Sequence, residues 1–133
     1  MLRAPIHAGF AILASIALLT GCGKAHVNAS APSLKKFSQT GVASWYGPGY
    51  EGKRTASGEV FHMSELTAAH RNLPFDTRVR VTNLSNKKQV DVRINDRGPF
   101  VQGRIIDLSR EAAQRIDLIG PGTAKVKIQA IKK

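Results

Sequence analysis

Cysteine is nearly absent from this chain of 133 residues, which contains a single one, Cys22. One cysteine excludes an internal disulfide, so packing alone must hold the fold. Acidic residues are also scarce, because nine Asp and Glu stand against twenty Lys and Arg, for a formal net charge of +11. This excess indicates either binding to polyanions or a surface that keeps the protein soluble, and both interpretations stay open.

The chain also lacks an apolar run long enough to cross a bilayer as a helix. Its apolar stretch, residues 10–19, follows Arg3 and ends in Leu19-Thr20-Gly21-Cys22. A short apolar core of this kind is typical of a secretory signal, and the last four residues resemble a bacterial lipobox, whose cysteine carries lipid. We therefore expect a signal peptide at residues 1–21 and lipidation of Cys22. By resemblance to sorted lipoproteins, Gly23 in place of Asp predicts an anchor at the periplasmic face of the outer membrane.

Removal of residues 1–21 leaves 112 residues, enough for one small domain. Arg3 is the only charged residue removed, so nineteen basic and nine acidic residues remain, a balance of +10. Residues 22–40 are rich in Ala, Ser and Lys and are predicted to form a flexible tether. Export makes nucleic acid a poor candidate partner and favours polyanions of the cell wall and outer membrane.

Residues 41–133 show the alternation of apolar and polar residues that strands have. The apolar positions fall into three runs: Val79 and Val81; Val90, Val92 and Ile94; Val126 and Ile128. The polar segment 83–88 predicts a hairpin between the first two runs. One helix is predicted at residues 109–117, capped by Asp107 or Ser109, and a shorter helical turn at residues 64–69. Many short strands with little helix indicate a small closed barrel.

Six blocks of polar and glycine residues lie mostly outside these elements. They are GVASWYG (41–47), RTASGE (54–59), LTAAH (66–70), LPF (73–75), VRINDRGPF (92–100) and RIIDLS (104–109). In order and spacing they resemble the double-psi β-barrel domain of the rare lipoprotein A family, over about residues 41–131. The resemblance implies a mainly β fold, a six-stranded double-psi β-barrel with one or two short helices.

The same resemblance implies a lytic transglycosylase of peptidoglycan. Such an enzyme cleaves the bond between N-acetylmuramic acid and N-acetylglucosamine and closes a 1,6-anhydro ring. One carboxyl group then serves as acid and as base, so the second carboxylate of ordinary glycosidases is not required. Many longer members carry a C-terminal glycan-binding domain, which we do not expect here because the sequence stops at Lys133.

Three residues match the active-site positions of the family. Asp96 stands where a strand pattern meets Gly98-Pro99 and is predicted to be the general acid/base, with a turn aspartate as the alternative. Glu59 is either the acid itself or a partner that orients substrate and keeps a neighbouring acid protonated by like-charge repulsion. His70 is expected to hydrogen-bond a carboxylate or a sugar hydroxyl.

Further residues are predicted to bind substrate. Trp45 and Tyr46 form a sugar platform, of which only one is expected to reach ligand because strand neighbours point to opposite faces. Tyr50 is a further aromatic candidate. Arg54 and Arg97 are expected to hold lactyl or other wall carboxylates, or to neutralise adjacent acids. Asp107 matches an aspartate in the groove of related barrels, although helix capping is its alternative role.

No cofactor is implied, and the histidines show no spacing typical of metal ligands. Two function classes therefore remain open. The first is an outer-membrane lytic transglycosylase, and the second is a non-catalytic, expansin-like barrel that binds wall glycan. The joint presence of Glu59, His70 and Asp96 favours the enzyme.

Overall fold

The computed structural model describes residues 34–131, so Cys22, the expected signal peptide and most of the expected tether lie outside the described residues. The strands are β1 (Ser38–Trp45), β2 (Thr67–Ala69), β3 (Arg78–Asn83), β4 (Gln89–Asp96), β5 (Arg104–Leu108) and β6 (Ala124–Ala130). Within this range there is one α-helix, α1 (Arg110–Arg115), and 3₁₀ turns at Leu34–Lys36 and Pro48–Tyr50. No helix of the described part is long and apolar enough to cross a membrane.

The six strands close into a barrel in the order β1-β5-β2-β4-β3-β6. The β1–β5 and β2–β4 pairs are parallel, and the other four pairs are antiparallel. The predicted mainly β fold with six strands is thereby confirmed. β1 begins at Ser38, three residues before the start expected from the sequence blocks.

The hairpin of β3 and β4 confirms the alternation read from the sequence. Val79 lies opposite Val92 and Val81 opposite Val90, and all four side chains are buried in the barrel. The polar faces of both strands point to solvent, where Arg80 and Asp91 form a two-bond ion pair. The predicted strand around Val126 and Ile128 is β6, which closes the barrel against β1 and β3.

The predicted helix is present but shorter. Ser109, not Asp107, is its N-cap, and the Ser109 hydroxyl accepts a hydrogen bond from the backbone N–H of Ala112. The helix ends in a Schellman arrangement, because the N–H groups of Asp117 and Leu118 bond the carbonyls of Gln114 and Ala113. Asp117 adopts a φ of 57° there, and Leu118 is fully buried.

The helical turn predicted at residues 64–69 is wrong. The chain turns at residues 63–65 and then forms β2, whose residues Thr67, Ala68 and Ala69 are all buried. β2 lies between β4 and β5 and is paired with both. These pairings override the preference of alanine for helix.

We predict that Ser109→Ala lowers the free energy of unfolding by about 1–2 kcal/mol, because it removes a buried helix cap. The buried Ser109 hydroxyl also donates to the Glu65 carbonyl and so joins α1 to the segment before β2. Urea unfolding measures the effect. Ser85→Ala, at an exposed position in the β3–β4 turn, is the control and should leave the midpoint unchanged.

Candidate active site

A row of small and acidic residues crosses four adjacent strands of the barrel. Ser44 of β1 lies opposite Asp107 of β5, Asp107 lies opposite Ala69 of β2, and Ala69 lies opposite Asp96 of β4. Strands are about 4.8 Å apart, so the two aspartates are separated by roughly 10 Å at their Cα atoms. Ala69 is 1% exposed, and the Tyr46 side chain reaches across the row to Asp96.

A register shift places Asp96 in this row. Ala68 pairs with Ile94 but Ala69 pairs with Asp96, so Asn95 is an extra residue in β4. Without the shift, Asp96 would follow the alternation of Val92 and Ile94 into the barrel. The irregularity turns the carboxylate onto the face that Ala69 and Asp107 share, a frequent use of bulges beside active sites.

Three hydrogen bonds hold the Asp96 carboxylate. Its Oδ1 accepts from the backbone N–H groups of Ala56, at 2.9 Å, and of Arg97, at 2.8 Å. Its Oδ2 accepts from the Tyr46 hydroxyl at 2.7 Å. The bond to the N–H of the next residue is of the kind expected for a turn aspartate, but the other two fix the carboxylate against the 54–60 loop and the end of β1. All three donors are uncharged, and Oδ2 has a single described partner.

Tyr46 is placed to keep its proton. Burial raises its pKa, and the hydrogen bond and charge of Asp96 raise it further. Its ring packs against Phe61 and, edge-on, against Tyr50, with centroids 4.8 Å and 5.2 Å away. The hydroxyl is therefore a fixed donor to Asp96 at any pH near neutrality.

Glu59 lies in the loop that covers the outer face of β4. Its two carboxylate oxygens accept from Arg93 at 2.7 Å and 3.0 Å, and one also accepts from Asn95 at 3.1 Å. The hydrogen bonds from Arg93, followed by that from Asn95, lower the pKa of Glu59. The glutamate is therefore ionised at neutral pH and cannot donate a proton. The guanidinium of Arg93 also neutralises it, which weakens the expected like-charge effect on Asp96.

Asp107 is engaged within the barrel wall. One of its oxygens accepts from the Ser44 hydroxyl and from Arg104, the latter at 2.6 Å. Its side chain is 15% exposed, so it borders the row without projecting from it. The capping role considered for Asp107 is wrong, because its carboxylate faces β1 and Arg104 rather than the start of α1.

His70 does not contact either carboxylate. It is 3% exposed, and its Nδ1 accepts from the backbone N–H groups of Asn72 and Leu73 at 3.3 Å and 3.1 Å. Nε2 must then carry the hydrogen, which it donates to Gln39 Oε1 at 2.9 Å. The expected bond to a sugar or a carboxylate is thus replaced by bonds that shape the turn after β2.

Burial lowers the pKa of His70 to about 4, and the positive charges of Arg97 and Arg71 act in the same direction. The imidazole is therefore neutral across the neutral range. The backbone links His70 to the site, because the backbone N–H of His70 donates a hydrogen bond to the carbonyl oxygen of Asp96 at 3.1 Å. His70 is a positioning residue in this structure.

The two arginines expected to bind carboxylates of the substrate donate hydrogen bonds to backbone carbonyls of the protein. Arg97 donates to the carbonyls of His70 and Leu73, and its guanidinium stacks 3.9 Å from the centre of the Phe75 ring. Arg54 donates to the carbonyl of Gly58 at 2.8 Å and closes the 54–60 loop. Nη1 of Arg97 is held by the two carbonyls and Arg54 is tied to its own loop, and substrate binding by either arginine stays a prediction.

The two aromatic residues at the end of β1 have different contacts. Trp45 packs against the hydrophobic core of the barrel, whereas the Tyr46 hydroxyl bonds Asp96. Both residues also border a cavity of about 270 Å³. That only one of them reaches ligand stays a prediction. Tyr50 is 51% exposed beside Tyr46 and is the most exposed of the three candidate aromatic residues.

Sequence reasoning missed the residues that hold the carboxylates. Arg93 and Asn95 bind Glu59, Arg104 and Ser44 bind Asp107, and the Tyr46 hydroxyl binds Asp96. Arg93 carried a signal, because it is a polar position between the buried residues Val92 and Ile94. Arg104 lies three residues before Asp107 in the same strand and was also within reach of local reasoning. The contacts of Ser44 and Tyr46 join segments distant in sequence and carried no signal.

These features define a class of protein: a small closed double-psi barrel with two aspartates in a row across four strands, one of which is held by uncharged donors. Residues 38–128 match the lytic transglycolase family. The chain belongs to this family, in agreement with the resemblance of its sequence blocks.

Curated relatives carry corresponding names. The endolytic peptidoglycan transglycosylase RlpA of Campylobacter jejuni is 58% identical over 102 residues, covering 75% of this chain and 37% of the relative. A probable endolytic peptidoglycan transglycosylase RlpA of Synechocystis is 50% identical, covering 88% of this chain and 37% of the relative. The chain thus spans well under half the length of these relatives.

Solved structures show the fold. An expansin of Clavibacter michiganensis superposes with a TM-score of 0.58 at 19% identity, covering 73% of this chain and 52% of the expansin. A papain inhibitor of Streptomyces gives a TM-score of 0.59 at 18% identity, covering 72% of this chain and 96% of the inhibitor. The barrel is therefore shared by proteins of different function.

We predict that His70 makes stability fall as the pH drops below about 6.5. The folded-state pKa of about 4 lies below the unfolded value of 6.5, so the stabilisation is complete above pH 6.5 and is lost progressively toward pH 4. The free energy of unfolding should fall by about 2 kcal/mol between pH 7 and pH 5. His70→Gln should abolish this slope, whereas His62→Gln, at an exposed position, should retain it. An NMR titration of His70 with a midpoint near 6.5 would contradict the prediction.

Proposed function

We propose that this domain is a lytic transglycosylase that cleaves the N-acetylmuramic acid to N-acetylglucosamine bond of peptidoglycan. The observation that carries the proposal is the carboxylate of Asp96, fixed by three uncharged donors at a partly exposed position of the barrel. Membership of the lytic transglycolase family and the names of the curated relatives support the reaction class.

In the proposed reaction, Asp96 begins protonated and gives its proton to the glycosidic oxygen as the bond to the muramyl C1 breaks. The muramyl 6-hydroxyl attacks C1, and its proton passes to the Asp96 carboxylate. The sugar ends as a 1,6-anhydro ring and Asp96 is protonated again, so no water is consumed. The neighbouring 6-hydroxyl outcompetes water because it is held intramolecularly at high effective concentration.

The surroundings of Asp96 suit this cycle. Oδ1 is occupied by two backbone N–H groups, which leaves Oδ2 as the oxygen that exchanges the proton. The Tyr46 hydroxyl bonds Oδ2 and fixes its position without adding a charge. Glu59 is held ionised by Arg93 and therefore acts as a positioning residue that orders the 54–60 loop. Tyr50 is the surface on which a neighbouring sugar stacks.

The alternative is a non-catalytic protein that binds wall glycan. An expansin shares the fold, and the test below therefore includes binding without cleavage as an outcome. A binder needs the aromatic surface of Tyr50 but not a proton on Asp96. Replacement of the carboxylate by an amide therefore separates the two functions.

We predict that Asp96→Asn lowers the release of anhydro-muramyl products by about 10²–10⁴-fold, because the amide cannot donate the acid proton. The amide keeps the size of the side chain, so the fold and sacculus binding should persist. Mass spectrometry of fragments released from intact and peptide-stripped sacculi measures the effect. Asp91→Asn is the matched control, because Asp91 pairs with Arg80 on another face of the barrel.

Three results would count against this mechanism. Reducing-end muramic acid among the products would indicate a hydrolase with an activated water. Full activity of the Asp96→Asn variant would show that another residue donates the acid proton. Absence of release by the unaltered protein from every sacculus would favour the binder.

We further propose that Cys22 carries lipid and holds the domain at the periplasmic face of the outer membrane. The short apolar stretch ending in Leu19-Thr20-Gly21-Cys22 supports this proposal, as does Gly23 after the cysteine. Cys22→Ala should yield an uncleaved or soluble species, as judged by fractionation. Retention of that variant in the outer membrane after a salt wash would overturn the lipid anchor.

A further inference from the structure

A basic stripe of four residues runs diagonally across the outer face of the barrel. Its members are Arg78 and Arg80 of β3 and Lys127 and Lys125 of β6. They alternate with valine and isoleucine residues that are fully buried, so their side chains point away from the barrel interior. Because Thr82 pairs with Lys127, Arg80 and Lys127 are diagonal neighbours, and successive members of the stripe lie about 7–8 Å apart.

The basic stripe keeps most of its positive charge. β3 and β6 contain no acidic residue, and Arg78, Lys125 and Lys127 form no ion pair within residues 34–131. Only Arg80 is paired, through its two hydrogen bonds to Asp91 of β4. Three uncompensated cations on a rigid sheet therefore reach solvent and attract negative charge there.

The basic stripe lies on the side of the barrel opposite the candidate active site. The row of Asp107, Ala69 and Asp96 crosses β5, β2 and β4. In the closed order of the strands, β3 is three strands from β5 in either direction, and β6 is three strands from β2. A glycan strand bound along the row therefore does not reach the stripe, which is available to a second partner.

The chain enters the barrel beside one end of the stripe. The backbone N–H of Ala130 bonds the carbonyl of Phe37 at 3.1 Å, and the next N–H, of Ile131, bonds the carbonyl of Arg78 at 3.0 Å. The end of β6 thus holds Arg78 next to the residue that precedes β1. The segment between Cys22 and β1 spans at most about 55 Å. A lipid on Cys22 would therefore keep the stripe close to the membrane surface.

We propose that the basic stripe docks the domain on the anionic phospholipid surface of a membrane, with Asp96 turned away from the lipid and toward the wall. Phosphate groups of neighbouring lipids are separated by distances comparable to those between members of the stripe. A wall polymer bound there would instead lie on the far side of the barrel from Asp96. The inference goes beyond the proposed cleavage reaction, because it concerns the orientation of the domain. In a protein already held at the membrane, a weak attraction is sufficient for docking.

Binding to vesicles measures the attraction of the stripe without the lipid anchor. All six strands lie within residues 38–130, so the chain from Gly23 to Lys133, produced without lipid, retains the whole barrel. This protein is co-sedimented with phosphatidylcholine vesicles that contain an increasing fraction of phosphatidylglycerol. Binding should rise with the phosphatidylglycerol fraction and weaken at high salt, because salt screens exposed charges.

Two double variants test whether the stripe is responsible. Each Lys or Arg near an anionic membrane strengthens binding by about fivefold, so Arg78→Gln with Lys127→Gln should weaken vesicle binding by about 25-fold. Lys53→Gln with Arg110→Gln is the matched control, because it removes the same charge from exposed positions. Lys53 lies over the Tyr50 ring and Arg110 borders the cavity at the end of β1, so both are outside the stripe. The control should bind vesicles as the unaltered protein does.

A single substitution and a stability measurement support the comparison. Lys125→Gln alone should weaken vesicle binding by about fivefold. Urea unfolding of each variant should give the midpoint of the unaltered protein, because the replaced side chains point away from the core.

Four results would overturn the proposal. The first is equal binding to vesicles with and without phosphatidylglycerol, and the second is equal vesicle binding by the stripe variant and its control. The third is a loss of sacculus binding by the stripe variant in proportion to its loss of vesicle binding, which would assign the stripe to wall polymers. The fourth is a loss of anhydro-product release confined to the stripe variant. A protein that docks on anionic vesicles but releases no product would refute only the proposed enzyme.

Discussion

The hydrogen bond from the Tyr46 hydroxyl to Asp96 joins two parts of the barrel that are not neighbours. Tyr46 follows β1 and Asp96 ends β4, and β5 and β2 lie between these strands in the closed sheet. The contact is possible because both parallel strand pairs change register near the site, so that Asn95 and Ile105 are each extra residues. The position of the Asp96 carboxylate thus depends on the way the double-psi barrel closes.

Three carboxylates of similar chemistry occupy three different surroundings near this contact. Glu59 is bound on both oxygens by Arg93, and Asp107 accepts from Arg104. Asp96 is bound only by neutral donors, namely two backbone N–H groups and a phenol. Of the three, only Asp96 has no ion-pair partner among the described residues. The three carboxylates are therefore distinguished by their hydrogen-bond partners rather than by their residue types.

This dependence on partners explains how far the sequence predicts the site. Local alternation predicted β3, β4 and β6, and a local capping pattern predicted α1, because neighbours in sequence decide both. β2 was missed because three residues between two other strands carry no period of their own. His70 and Arg97 were predicted to face substrate, but their bonds to Gln39, Leu73 and Phe75 are tertiary contacts. The block at residues 92–100 identified Asp96 from the sequence. The Tyr46 hydroxyl that bonds it belongs to the distant block at residues 41–47, and the sequence did not predict this contact.

The positive charge of the described residues is unevenly distributed around the barrel. Several cations of the described domain lie around the hairpin of β3 and β4, on β6 and on α1, where a shallow basic concavity includes Arg78, Arg80 and Arg115. Arg78, Lys125 and Lys127 have no acidic partner among the described residues. Near the row of acidic residues, by contrast, Arg93 and Arg104 are neutralised by acids. Arg71 and Arg97, which also lie near the row, have no acidic partner among the described residues and donate to backbone carbonyls instead. The cations near Asp96 are therefore tied to groups of the protein, whereas Arg78, Lys125 and Lys127 remain available to an external polyanion.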